Sequence, residues 1–167
     1  FFFNLFAASC AMVVLGKRSP PMRALVLKEP CSIEPGGRKP LEPTALSIPV
    51  PAPDQVLIKV SVCGVCHTEI DEIEGRLVPS KYPIVPGHEI VGRIHTIGSQ
   101  VTKYRPGDRV GVAWIHSSCG KCSFCARGDE NLCDDFRATG LHAHGGYAEY
   151  TVVSQEFAYP IPREFPD

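Results

Sequence analysis

The run CGKCSFCARGDENLC, residues 119–133, limits what this chain can fold into more than any other stretch. Its four cysteines fall within fifteen residues, separated by two, two and seven. Two-residue gaps let neighbouring thiols turn toward one point, and the seven-residue gap returns the chain for a fourth vertex. Zinc takes four ligands in a tetrahedron, and a cage filled by four thiolates leaves no vertex for water or substrate. Such a cage is structural, and metal binding there counts as folding free energy for a lobe too small to have its own apolar core. Gly120 and Gly128 permit the tight turns. The spacing of Cys119, Cys122, Cys125 and Cys133 therefore predicts a structural zinc lobe over residues 116–135 that does no chemistry. An iron–sulfur cluster accepts the same donors and is the alternative metal. A nucleic-acid zinc ribbon is disfavoured, because no basic or aromatic surface accompanies the cage.

The chain has eight cysteines, an even number that raises the question of disulfides. Six of them lie in tight clusters of metal-like spacing. With 167 residues and 44% hydrophobic residues, the chain has no need of staples to make a core. Thiolate ligands imply a reducing compartment, so a cytoplasmic location is expected. The net charge of −1 is spread along the chain and suggests neither nucleic acid nor membrane as a partner.

Sixteen prolines and fifteen glycines favour short strands over long helices. Strands are expected at residues 23–28, 55–62, 90–97, 109–113 and 146–153. In QVLIKVSV, Val56, Ile58 and Val60 share one face. Residues 29–53 carry seven prolines and are expected to form a loop. CHTEIDEIEGR is the best short helix, with Ile70 and Ile73 on one face, Thr68 as a cap and Gly75 as its end. The pattern predicts a mainly β, barrel-like domain with a cysteine-rich excursion. Nothing in the final YPIPREFPD suggests a closing strand.

A catalytic zinc keeps one position open and needs ligands from separate elements. Cys66 ends a strand and opens a helix, and His88 follows a Pro-Gly turn at the start of another strand. Each signal is poor alone. A single histidine at a strand start is more often a satisfied or surface residue. Cys63 and Cys66 could form a redox pair, but no βαβ context accompanies them.

GVCHT, PGHE, GDRV, the four-cysteine run and GGYAEY, in that order, resemble the zinc-dependent alcohol dehydrogenases of the medium-chain dehydrogenase/reductase superfamily. The similarity runs from Met22 to the end and is strongest to bacterial propanol-preferring types. It implies a GroES-like, partly open β-barrel over 22–167, the N-terminal part of the catalytic domain. The resemblance makes Cys66 and His88 ligands of a catalytic zinc, and Cys119, Cys122, Cys125 and Cys133 those of the structural zinc. It makes Glu89 an acid that approaches the catalytic zinc during ligand exchange, and Thr68 the hydroxyl that binds the substrate alcohol. His67 takes the position that touches the cofactor pyrophosphate and in some members assists proton transfer. Cys63 matches no ligand. The implied reaction is oxidation of a primary or secondary alcohol by hydride transfer to NAD or NADP, or its reverse on an aldehyde or ketone. A homo-oligomer is expected at full length.

This sequence departs from the family pattern in several places. Glu69 stands where an aspartate usually holds the zinc-binding histidine, and its extra methylene is expected to loosen that histidine. Asp71 stands where many members place a relay histidine. The resemblance puts the third catalytic ligand, a cysteine, beyond Asp167, while His142 and His144 fall in a segment that varies among relatives. No GxGxxG follows a strand, so the nucleotide-binding domain is not in this sequence and the fragment alone is expected to be inactive. Residues 1–21 read as an extension or non-native leader, with a signal anchor as the alternative. Two other readings compete: a polyol- or cinnamyl-type dehydrogenase, and a free-standing zinc module without catalysis.

Overall fold

The computed structural model describes residues 20–165. The expectations for the leader, including Cys10, fall almost wholly outside that range. Strand β1 (Met22–Val26) pairs antiparallel with β2 (Glu42–Leu46), placing Leu25 opposite Pro43. The proline-rich segment was expected to be a loop, so β2 corrects that reading. It survives because it is a half-buried edge strand with one bonded neighbour, and Pro43 owes no hydrogen bond to a second.

The main sheet is five-stranded and antiparallel. It comprises β3 (Gln55–Cys63), β4 (Ile90–Ile97), β5 (Arg109–Val112), β8 (Tyr150–Ser154) and β9 (Ala158–Pro160), in the order β8-β3-β4-β5-β9. Strand β9 was not expected. Its proline is again on an edge, opposite Val110. Val56, Ile58, Val110 and Val153 are fully buried on one face of this sheet, with Ile90 and Ile94 beside them. Residues 146–149, expected in the last long strand, instead bond to β1: Leu25 N–H donates to the Tyr147 carbonyl (2.8 Å) and Glu149 N–H to that of Arg23 (3.0 Å). A further bridge pairs Leu27 with Ile84, so β1 closes over the sheet and curls it into a half-barrel.

Two features project from this body. Helix α1 (His67–Ile73) begins three residues after β3 ends. The cysteine-rich excursion is bracketed by β6 (Ile115–Ser117) and β7 (Arg137–Ala138), which pair antiparallel. Between them lie only two single 3₁₀ turns with no buried residue. Among the described residues no helix is long and apolar enough to cross a membrane.

Candidate metal centres

In the excursion, the sulfurs of Cys119, Cys122, Cys125 and Cys133 all lie within 4.8 Å of one another. Sγ of Cys125 is 3.9 Å from that of Cys119 and 3.5 Å from that of Cys122. Thiolates about 2.3 Å from a tetrahedral zinc stand about 3.8 Å apart, so this spacing fits a metal. It is far too long for an S–S bond of about 2.05 Å, and all four cysteines are free. The backbone favours thiolate as well. Cys122 N–H donates to Cys119 Sγ (3.3 Å) and Cys119 N–H to Cys133 Sγ (3.5 Å). Amide hydrogen bonds from Lys121 and Cys122 pull the Cys119 thiol down to about 6. Gly128 ends the first 3₁₀ turn at φ 82°, a left-handed conformation that glycine takes without strain.

A second convergence lies at the end of the sheet. A sulfur, an imidazole nitrogen and a carboxylate oxygen from Cys66, His88 and Glu89 also lie within 4.8 Å of one another. Cys66 does not end a strand, as the sequence suggested, because β3 stops at Cys63; it is the N-cap of α1, and its extended φ and ψ mark the helix start. His88 and Glu89 lead into β4 through the Pro-Gly turn. Gly87 there has φ +97°, and a Cβ on it would come within 2.7 Å of Tyr147 and 2.9 Å of Cys63 Sγ. Gly64 is equally constrained, since a Cβ there would lie 2.3 Å from the Glu89 carboxylate. One thiolate, one imidazole and one carboxylate form the mixed donor set that zinc accepts, and the residues present fit it.

Glu69 joins the two elements. One carboxylate oxygen accepts the Cys66 N–H at 2.7 Å, and the other lies 2.7 Å from His88 Nδ1. Both side chains are nearly inaccessible, and the two atoms meet at ion-pair distance without hydrogen-bond alignment. The longer side chain also caps the helix, its carboxylate reaching back to the Cys66 backbone. That cap is the Cys66–Glu69 pair and not Thr68, which corrects the sequence reading. Thr68 Oγ1 instead lies 3.5 Å from Cys66 Sγ. His67 is exposed, with Nε2 3.7 Å from Asp71 Oδ1. Asp71 also pairs with Arg76 at 2.6 Å.

Cys63 belongs to neither ligand set. Burial pushes its thiol up to about 11, and its sulfur packs against the backbone of Gly87 and Gly146. His142 and His144 also lie outside both sets. The sequence did not reveal two neighbours of the site. Trp114 meets the His88 ring edge-on, with centroids 5.1 Å apart. Its being the only tryptophan, just upstream of the cage, was the one available signal. Glu72 is fully buried, and neither carboxylate oxygen has a hydrogen-bond partner among the described residues. Burial, with Glu69 nearby, raises its carboxyl to about 8. The buried face of α1 is thus Glu69, Glu72 and Ile73, whereas the periodicity had suggested Ile70 and Ile73.

Residues 52–163 match the family model of the alcohol dehydrogenase GroES-like domain. The chain belongs to this family. It is 41% identical over 151 residues to AdhA of Mycobacterium tuberculosis, a probable alcohol dehydrogenase, a match covering 87% of this chain and 43% of that protein. Among solved structures, the cobalt- and zinc-bound thermostable alcohol dehydrogenase of Pyrobaculum aerophilum is 32% identical with a TM-score of 0.75, covering 83% of this chain and 41% of that one. A zinc-binding dehydrogenase from Sinorhizobium meliloti bound to NADP is 34% identical at the same TM-score of 0.75, covering 89% of this chain and 40% of that one. The chain therefore spans about two fifths of the length of these relatives.

Proposed function

We propose that this chain is the metal-bearing N-terminal part of a zinc-dependent alcohol dehydrogenase that interconverts alcohols and aldehydes or ketones with NAD or NADP. The observation that carries the reading is the convergence of Cys66, His88 and Glu89 with Thr68 beside them. Cys66 and His88 would hold the catalytic zinc, and Cys119, Cys122, Cys125 and Cys133 a structural one. Bound zinc supplies Lewis acidity, lowering the pKa of an alcohol toward neutrality. The remaining tasks fall to the side chains. Glu69, 2.7 Å from Nδ1, would orient His88 so that Nε2 could turn to the metal. Thr68 Oγ1 is close enough to the Cys66 sulfur to hydrogen-bond a substrate hydroxyl and take part in passing its proton outward. His67, exposed and facing Asp71, continues that path toward solvent and stands where a cofactor phosphate would approach. Trp114 walls the His88 side with an apolar surface. Glu89 lies near enough to take a ligand position when substrate exchanges.

The nicotinamide-binding domain and a further zinc ligand belong, in this reading, to a longer protein, which acts in the cytoplasm as an oligomer. The test compares that longer protein with its Cys66→Ser and His88→Ala variants. Both variants should keep one zinc and the native melting temperature and lose turnover by several orders of magnitude. Turnover near the parent's level with one zinc missing would overturn the assignment.

A further inference from the structure

A cavity of about 430 Å³ lies between the β1–β2 hairpin, the segment before the Pro-Gly turn and β8. That volume falls within the range of small-molecule sites. Met22, Leu46 and Val152 give it an apolar wall, and its polar lining includes His116, His142, His144 and Lys81.

The hydrogen bonds of two histidines fix which proton each ring carries. His142 Nδ1 accepts the Ala138 N–H at 2.9 Å, and His144 Nδ1 accepts the Val85 N–H at 3.0 Å. A neutral imidazole whose Nδ1 accepts must carry its hydrogen on Nε2, so both rings are left as N–H donors. Protonating either ring would break its backbone bond, and burial beside Lys81 also lowers the His144 pKa. His116 also lines the cavity. It is only 6% exposed, and its Nδ1 is buried with no hydrogen-bond partner among the described residues. Native interiors rarely leave such an atom unsatisfied.

A metal does not fit this cavity. Nε2 atoms that carry hydrogen offer no lone pair, and the two convergent ligand sets among the described residues lie elsewhere. A multiply charged anion also fits poorly, because Lys81 is the one cation in the lining and apolar residues fill much of the wall. The geometry points to a site for a small monoanion with an apolar tail, a short-chain carboxylate. Its oxygens would accept from the imidazole N–H groups and Lys81, and its tail would lie on Met22, Leu46 and Val152. His144 holds Val85, three residues before His88, so the occupant would rest against the segment that positions the second metal centre.

The test is calorimetric titration of the full chain carrying Cys66→Ser, loaded with lobe zinc alone so that no second metal competes for oxygen ligands, with hexanoate, alongside 1-hexanol as the neutral control. Saturable one-site binding of hexanoate, shifts in the imidazole proton resonances and no comparable binding of hexanol are expected. Lys81→Ala, an exposed change, should keep the melting temperature and weaken hexanoate about tenfold, as for a lost charge-assisted contact. His116→Phe should weaken it as well. Absence of saturable binding, or equal affinity for hexanol together with an unaffected Lys81→Ala, would overturn the assignment. The readout is binding in a variant that lacks the second metal, so it does not depend on the dehydrogenase reading.

Discussion

The two cysteine-bearing centres use similar donors and are built in opposite ways. The lobe draws four thiols from one short stretch, with single 3₁₀ turns between them and only Cys133 buried. The second centre draws Cys66 and His88 from two elements joined to the main sheet, where Glu69 is 2% and His88 8% exposed. In the lobe, metal replaces a core. At the second centre the core exists first and holds the donors in place. Loss of metal should therefore unfold the one and leave the other standing.

The largest effect expected is in the lobe. Cys122→Ser removes one vertex of a cage whose binding free energy, in comparable zinc-stabilised units, is on the order of 10–16 kcal/mol. The variant should lose its structural zinc and become open to proteolysis within residues 116–135, with the five-stranded sheet still protected. Cleavage spread evenly over the chain would erase the contrast between the two regions.

Next comes the carboxylate that holds the second centre. Glu69→Gln keeps one acceptor oxygen, puts an N–H donor in place of the other and loses the charge facing His88. It should weaken metal binding at that centre by roughly 10–100-fold, read by competition with a chromophoric chelator, and leave lobe zinc unchanged. Glu72 lies one helical turn further along and has no such partner. Its folded-state carboxyl is raised to about 8, against roughly 4.3 in an unfolded chain. The folded chain thus holds a proton that the unfolded chain releases. Stability is full below about pH 4.3 and falls as pH rises toward 8. Glu72→Leu should remove that slope and stabilise the chain by about 1–3 kcal/mol at pH 8, less at pH 5, in paired denaturant melts. A variant less stable at pH 8 would mean that Glu72 has a buried partner. The smallest effect belongs to the surface. Arg23 and Glu149 pair at 2.8 Å, but the arginine side chain is 88% exposed, so Arg23→Ala should leave the melting temperature unchanged.

The same contrast explains what could be read from the sequence. The cage was legible because its ligands are neighbours in the chain and spacing encodes geometry. The strands of the main sheet were legible because alternation in QVLIKVSV encodes a buried face. Strands β2 and β9 were not, because proline argues against strands unless it is known which are edges. The buried face of α1 was misread because its pattern includes two glutamates, one that caps its own helix at Cys66 and faces His88 across the fold, and one with no partner among the described residues. The contact between Trp114 and His88 is likewise long-range, and spacing carries no trace of it.

Zinc content before and after mild chelation tests the division into two centres most directly. The proposed reading predicts two zinc ions per chain of the longer protein. One should leave readily with the fold intact and be abolished in Cys66→Ser, and the other should leave only as residues 116–135 unfold. A single zinc per chain, or two that leave together as the whole chain unfolds, would contradict it.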